Sequence, residues 1–183
     1  MSTGAGDIIR GLDGNDQTVF SVSSAGVASA RVLEITGGAD LAEYFDVQAG
    51  GLDDADKGAS IVPGTVVSID PDGAGSLVVS SEPYDTRVAG VVSGLRGLNP
   101  GMILRQSGAL DGGHPVAIAG RVYCLADTSA GSIKAGDLLT TSVVPGHVMK
   151  VNDSSRAVGS VVGKALTNLE GGTGAVLVLV SLH

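Results

Sequence analysis

The chain has 183 residues, enough for one large or two small domains, and its 29 glycines, absent tryptophan and 3% aromatics leave Val, Leu, Ile and Ala to build a core. A net charge of −8 with no Lys/Arg cluster excludes nucleic acids and anionic membranes as partners, since both need a basic footprint. The longest apolar run, Ala175 to Leu182, is far short of the roughly 18 residues that span a bilayer, so no membrane insertion is expected.

Met1 to Asp7 lacks the basic and apolar regions of a signal peptide. If the protein acts outside its producing cell, it leaves by lysis or as part of a particle. From Ile8 to Ile35 short alternating apolar segments are separated by two turn signals, Asp13-Gly14-Asn15-Asp16 and Ser24-Ala25-Gly26. Val19, Phe20, Val22, Val27, Val32, Leu33 and Ile35 are too few to give this stretch a core of its own. Residues 1–38 are therefore expected to form a β stem that buries its apolar stripe against sister copies.

After the Gly37-Gly38 break, residues 39–62 read as a less regular, acidic connection into a head domain, residues 39–183. From Pro63 onward one unit recurs: a turn glycine feeding an apolar run, then a second glycine entering a valine strand. Pro63-Gly64-Thr65-Val66-Val67 leads to Gly90-Val91-Val92; Pro100-Gly101-Met102-Ile103-Leu104 to Gly120-Arg121-Val122; and Ala135-Gly136-Asp137-Leu138-Leu139 to Gly159-Ser160-Val161-Val162. Alternation at period two with Gly and Pro at the boundaries favours strand pairs over a helical solenoid. The predicted fold is all-β, with a compact β-barrel or β-clip-like head built from these repeats. The last predicted strand, Gly174 to Leu182, is apolar on both faces and is expected to be buried on both.

Nucleophile elbows, phosphate loops, dinucleotide fingerprints and zinc spacings are all missing from the sequence. His114, His147 and His183 are far apart and lack a Cys or carboxylate at ligand spacing, which favours turn or surface roles. Asp53, Asp54 and Asp56 read as a solvated acidic loop rather than a calcium site, because the loop glycine and distal Glu are missing. Cys124 lies among apolar residues and reads as a buried thiol. No cofactor is implied. The segment Gly38 to Asp46 holds Asp40, Glu43 and Asp46 beside Tyr44 and Phe45, in a chain where aromatics are rare, and this suggests an anchoring role at the junction of stem and head.

Ala39-Asp40-Leu41-Ala42-Glu43-Tyr44-Phe45, with Pro63 to Asp70 and Val88 to Ser93, resembles the C-terminal intramolecular-chaperone, autocleavage domain of phage pre-neck appendage and tail-fibre proteins, a glutamic-peptidase-like family. Ala135 to Ser142, Pro145 to Lys150 and Gly163 to Leu166 are similar to a module of tail-fibre-like proteins. The resemblance implies a homotrimeric fibre end whose head brings three chains into register. It also implies that, where cleavage occurs, the break falls between Ala39 and Asp40, with Glu43 and Asp40 as catalytic carboxylates. Such a pair at a trimer junction would share a proton and could act as acid and base.

The sequence thus favours a structural trimeric module at the end of a tail fibre or appendage, located on a particle, with Glu43 pairing or capping at the junction. Autoproteolysis is one alternative. Another is a fibre tip that binds a cell-surface glycan or protein receptor through Leu95 to Pro100 and Leu110 to Pro115, for which only Tyr84 and Tyr123 remain as free aromatics. A small β-clip enzyme is the weakest reading and requires a deep polar cleft.

Overall fold

In the computed structural model, residues 6–50, 61–106, 108 and 111–182 are described. Asp53, Asp54, Asp56, Leu110 and His183 lie outside them. The chain divides between Thr36 and Gly37 into two compact units.

The first unit is a three-stranded antiparallel meander of β1 (Asp7–Leu12), β2 (Thr18–Ser23) and β3 (Ala28–Ala30). Both predicted turns form. Asp13 Oδ1 accepts hydrogen bonds from the backbone N–H groups of Asn15 at 2.9 Å and Gln17 at 3.0 Å, and the second turn closes from Gly26 N to Ser23 O at 3.0 Å. The register sorts the side chains by polarity. Ile9–Val22–Ala28 and Gly11–Phe20–Ala30 form two cross-strand rows on one face, while Arg10–Ser21–Ser29 lies on the other.

The second unit contains β4 (Asp40–Phe45), β5 (Val47–Gln48), β6 (Val66–Ile69), β7 (Leu77–Val79), β8 (Val88–Val92), β9 (Pro100–Leu104), β10 (His114–Asp127), β11 (Leu138–Thr141), β12 (Val148–Lys150), β13 (Val161–Ala165) and β14 (Thr173–Ser181). Two 3₁₀ turns are the only helical pieces among the described residues. β10 is the spine of the head. Its first half runs between β4 and β8, and its second half pairs with β14. Where it passes from one neighbour to the other, a bulge at Ile118 and the left-handed backbone of Gly120, φ 100°, bend the strand. The order β12-β11-β13-β14-β10, completed by a parallel contact of Ala126 with Val148, closes a five-stranded barrel. Strands β9, β4, β8, β6, β7 and β5 extend outside it along the first half of β10.

Small aliphatic side chains fill the barrel, as the composition requires. Val122, Cys124, Leu139, Val148, Val162, Val176 and Val178 are fully buried, and burial drives the Cys124 thiol well above its ordinary pKa. A second cluster of Val47, Val67, Leu77, Val92 and Val116 fills the outer sheet, with Phe45 against it.

The structure corrects three sequence expectations. First, the segment read as an irregular connection supplies β4, which lies between β9 and β10 in the sheet. Second, two of the three expected repeats are strand pairs, β6 with β8 and β11 with β13, each opening on a left-handed turn glycine, Gly64 at φ 93° and Gly136 at φ 96°. The middle unit does not follow: β9 pairs with β4 instead of β10. The glycine equivalent to Gly90 is also Gly163, not Gly159, since Val67 faces Gly90 and Leu139 faces Gly163, each one step before a bulge. Third, β14 is buried on one face only. Val176, Val178 and Val180 enter the barrel while Leu179 keeps 44% of its surface exposed.

Candidate functional site at the start of β4

Asp40 opens β4 opposite Gly120 on one side and Pro100 on the other. The approach is close because two glycines permit it. A Cβ on Gly120 would stand 2.6 Å from Ala39 O, and one on Gly38 would stand 2.2 Å from Pro100 C. The peptide at this point is tied into the sheet, with Ala39 N–H donating to Asn99 O at 3.1 Å and Arg121 N–H donating to Ala39 O at 2.9 Å.

Asp40 is only 5% exposed. Its Oδ2 accepts a 2.6 Å hydrogen bond from Ser93 Oγ, while the buried Oδ1 has no hydrogen-bond partner. Ser93 is itself fixed by donating its N–H to Pro115 O at 2.8 Å. Burial raises the carboxyl pKa above its ordinary 3.8, and the Ser93 hydrogen bond only partly opposes this. The site is therefore a buried carboxyl, biased toward its neutral form, beside the Ala39–Asp40 peptide bond. In that form it can donate a proton.

Glu43 does not join it. Side chains alternate along a strand, so Asp40 and Ala42 turn into the head and Glu43, three positions on, occupies the opposite face. Among the described residues no hydrogen bond or ion pair engages the Glu43 side chain, so the pairing or capping expected of it is not made with any of them. The two sequence-predicted carboxylates thus lie on the same strand but do not form an intrachain acid–base pair. Of the residues that do shape the site, Gly120 enters the sequence reading only as part of the repeat and Ser93 only as the end of the Val88–Ser93 segment that carries the resemblance. A Ser at the end of one strand and a Gly in the middle of another carry no local sign of their meeting.

An expected outcome follows for Asp40→Asn. A carboxyl whose folded pKa lies above its unfolded value stabilises the fold fully below the unfolded value and loses that contribution as pH rises through the folded one. Asn keeps an acceptor for Ser93 and removes the ionisation. Asp40→Asn is therefore expected to resist urea better than the parent at pH 7, with the gap closing below pH 4. A variant weaker at pH 7 would show that the carboxylate is stabilised by its site.

The aromatics flanking the site act as anchors. Phe45 packs on the outer-sheet cluster, and Arg105 stacks over Tyr44 at 4.6 Å while bonding Asp111 at 2.8 Å. The rings held in reserve for receptor contact are also engaged. Arg96 covers Tyr123 at 5.1 Å and Arg156 covers Tyr84 at 4.4 Å, and the Tyr84 hydroxyl accepts from the N–H groups of Asn152 and Asp153, each at 2.9 Å. His114 belongs to β10, and His147 sits in the β11–β12 turn with Nδ1 bonding Pro145 O at 2.8 Å. One concavity, of about 790 Å³, is open and lined by Asp70, Asp72, Glu82, Arg87 and Gln48. Arg87 is occupied there by Asp85 at 2.9 Å and Glu82 at 3.3 Å.

The fold and the site define an all-β barrel protein with a buried acidic group at the entry to its head. No protein-family model matches the chain, and no curated protein matches it either. Among the described residues, no helix is long and apolar enough to cross a membrane.

Proposed function

We propose that this chain is a trimeric structural module that terminates or nucleates a fibre-like appendage of a particle. The observation that carries the reading is the amphipathic stem sheet. It has a sorted apolar face but no second layer among the described residues of its unit, leaving Ile9 55% and Phe20 40% exposed. A three-stranded sheet of this size gains stability only when that face is covered, and three copies packing their apolar faces about one axis cover all three at once. The resemblance of the β4 segment to phage appendage chaperone domains agrees with that arrangement. Light scattering on the full chain at micromolar concentration is expected to give the mass of three chains. A stable single chain would remove the proposal.

Self-cleavage between Ala39 and Asp40 has one observation in its favour, the buried carboxyl beside that bond. The opposite placement of Glu43 works against it within a chain. Freshly made parent and Glu43→Gln protein are expected to show full-length intact masses that differ only by the substitution. A parent cut at this bond, with the variant uncut, would make the module a self-processing one.

A further inference from the structure

We infer that, in the proposed trimer, the Val32–Ile35 segment of one copy adds as a strand to the open edge of β9 in a second copy. This rests on the trimeric reading and names the elements that meet. Two incomplete β elements carry it.

The first is β9. Among the described residues β4 is its only strand neighbour, so one backbone edge is open. Three consecutive side chains on it, Met102 at 42%, Ile103 at 46% and Leu104 at 46%, remain exposed. Sheets usually protect an edge with a charge, a proline in mid-strand or a covering element. Here Pro100 stands at the first position and Arg105 follows the last, so the apolar middle is unguarded. Such an edge is a template for an added strand.

The second is Val32–Ile35. It has strand-type composition, belongs to no strand, and exposes Val32 at 84%, Leu33 at 70% and Ile35 at 41%. Its length suits the five residues of β9. Charge selects the direction: if the segment ran parallel to β9, as β4 already does, Glu34 would come beside Arg105, whereas the antiparallel sense would set Arg31 there. Because each copy would give one strand and receive another through different surfaces, the contact is heterologous, and three such contacts can close a ring.

The test uses full-length chains. Leu33→Cys and Leu104→Cys variants, one of them tagged, are co-expressed and oxidised, and the disulfide is located by peptide mass. Val32→Cys with Ile103→Cys samples the neighbouring pair of the same parallel register. Cys124, fully buried, stays in place. The expected result is a disulfide between different chains joining 33 to 104 or 32 to 103. Links of 33 only to 33 or 104 only to 104 overturn the strand pairing, as does a doubly substituted chain that closes only on itself. The reduced protein is sized in parallel. Three chains without the cross-link would sink the pairing and leave the trimer standing, whereas a single chain would sink both.

Discussion

Gly163→Ala is expected to cost about 3 kcal/mol of folding stability, seen as a lower urea midpoint at unchanged slope. A Cβ built on Gly163 would lie 2.1 Å from Leu179 O, 2.9 Å from Leu179 C and 3.0 Å from Val180 Cα. All three are backbone atoms of β14, and β14 is held on its far side by nine register pairs with β10. The barrel is closed, so β14 cannot move away from β13 without opening it against β10. The equivalent Gly90→Ala meets Ala117 O at 2.5 Å and Val116 Cγ1 at 2.7 Å. It is expected to be milder, because a side-chain methyl supplies one of its contacts and the outer sheet has an edge that can yield. Gly171→Ala, with no atom within 4 Å, should stay within about 0.5 kcal/mol of the parent. If Gly163→Ala were as stable as Gly171→Ala, the equivalence of the two strand pairs would have no structural basis.

Phe20→Asp is expected to abolish assembly while leaving the head folded. Phe20 lies centrally on the apolar face of the stem, between Gly11 and Ala30 in its row, and it remains 40% exposed in one chain. Covering the 40% of Phe20 that is still exposed contributes about 1 kcal/mol, and threefold symmetry repeats that loss in every copy. Three carboxylates brought toward a common axis would repel as well. The combined penalty, several kcal/mol per trimer, corresponds to a fall of at least a thousandfold in the association constant. Light scattering at micromolar concentration should then report single chains with the strand signal of the head intact. Ser21→Asp, on the polar face, serves as the control and should still assemble. Equal assembly of both variants would mean that this face is not the stem interface.

The Asp40 region shows how local pattern and tertiary placement divide the information. Two carboxylates three residues apart share a face on a helix and take opposite faces on a strand. The spacing alone therefore could not say whether they meet. Once Ala42, Val116 and Ala117 require β4 to lie flat beside β10, Asp40 is turned inward to Ser93 and Glu43 is turned away.

What the sequence by itself determined is whatever depends on neighbours in the chain. The alternation of Val with small or polar residues specified strands, Asp13 and the turn glycines specified where the chain reverses, and the scarcity of large side chains specified an aliphatic core. Its apolar stripe also marked residues 8–35 as poor in core. What only the tertiary structure decided is which edges pair. β9 turns to β4, Ala126 reaches Val148 to close the barrel, and Gly163 rather than Gly159 stands under the adjoining strand. The physical reason is that a strand's hydrogen-bonding edges are alike along its whole length. Its partner is chosen by long-range competition among open edges and by which glycines allow two backbones to approach, and neither is written in a local run of residues.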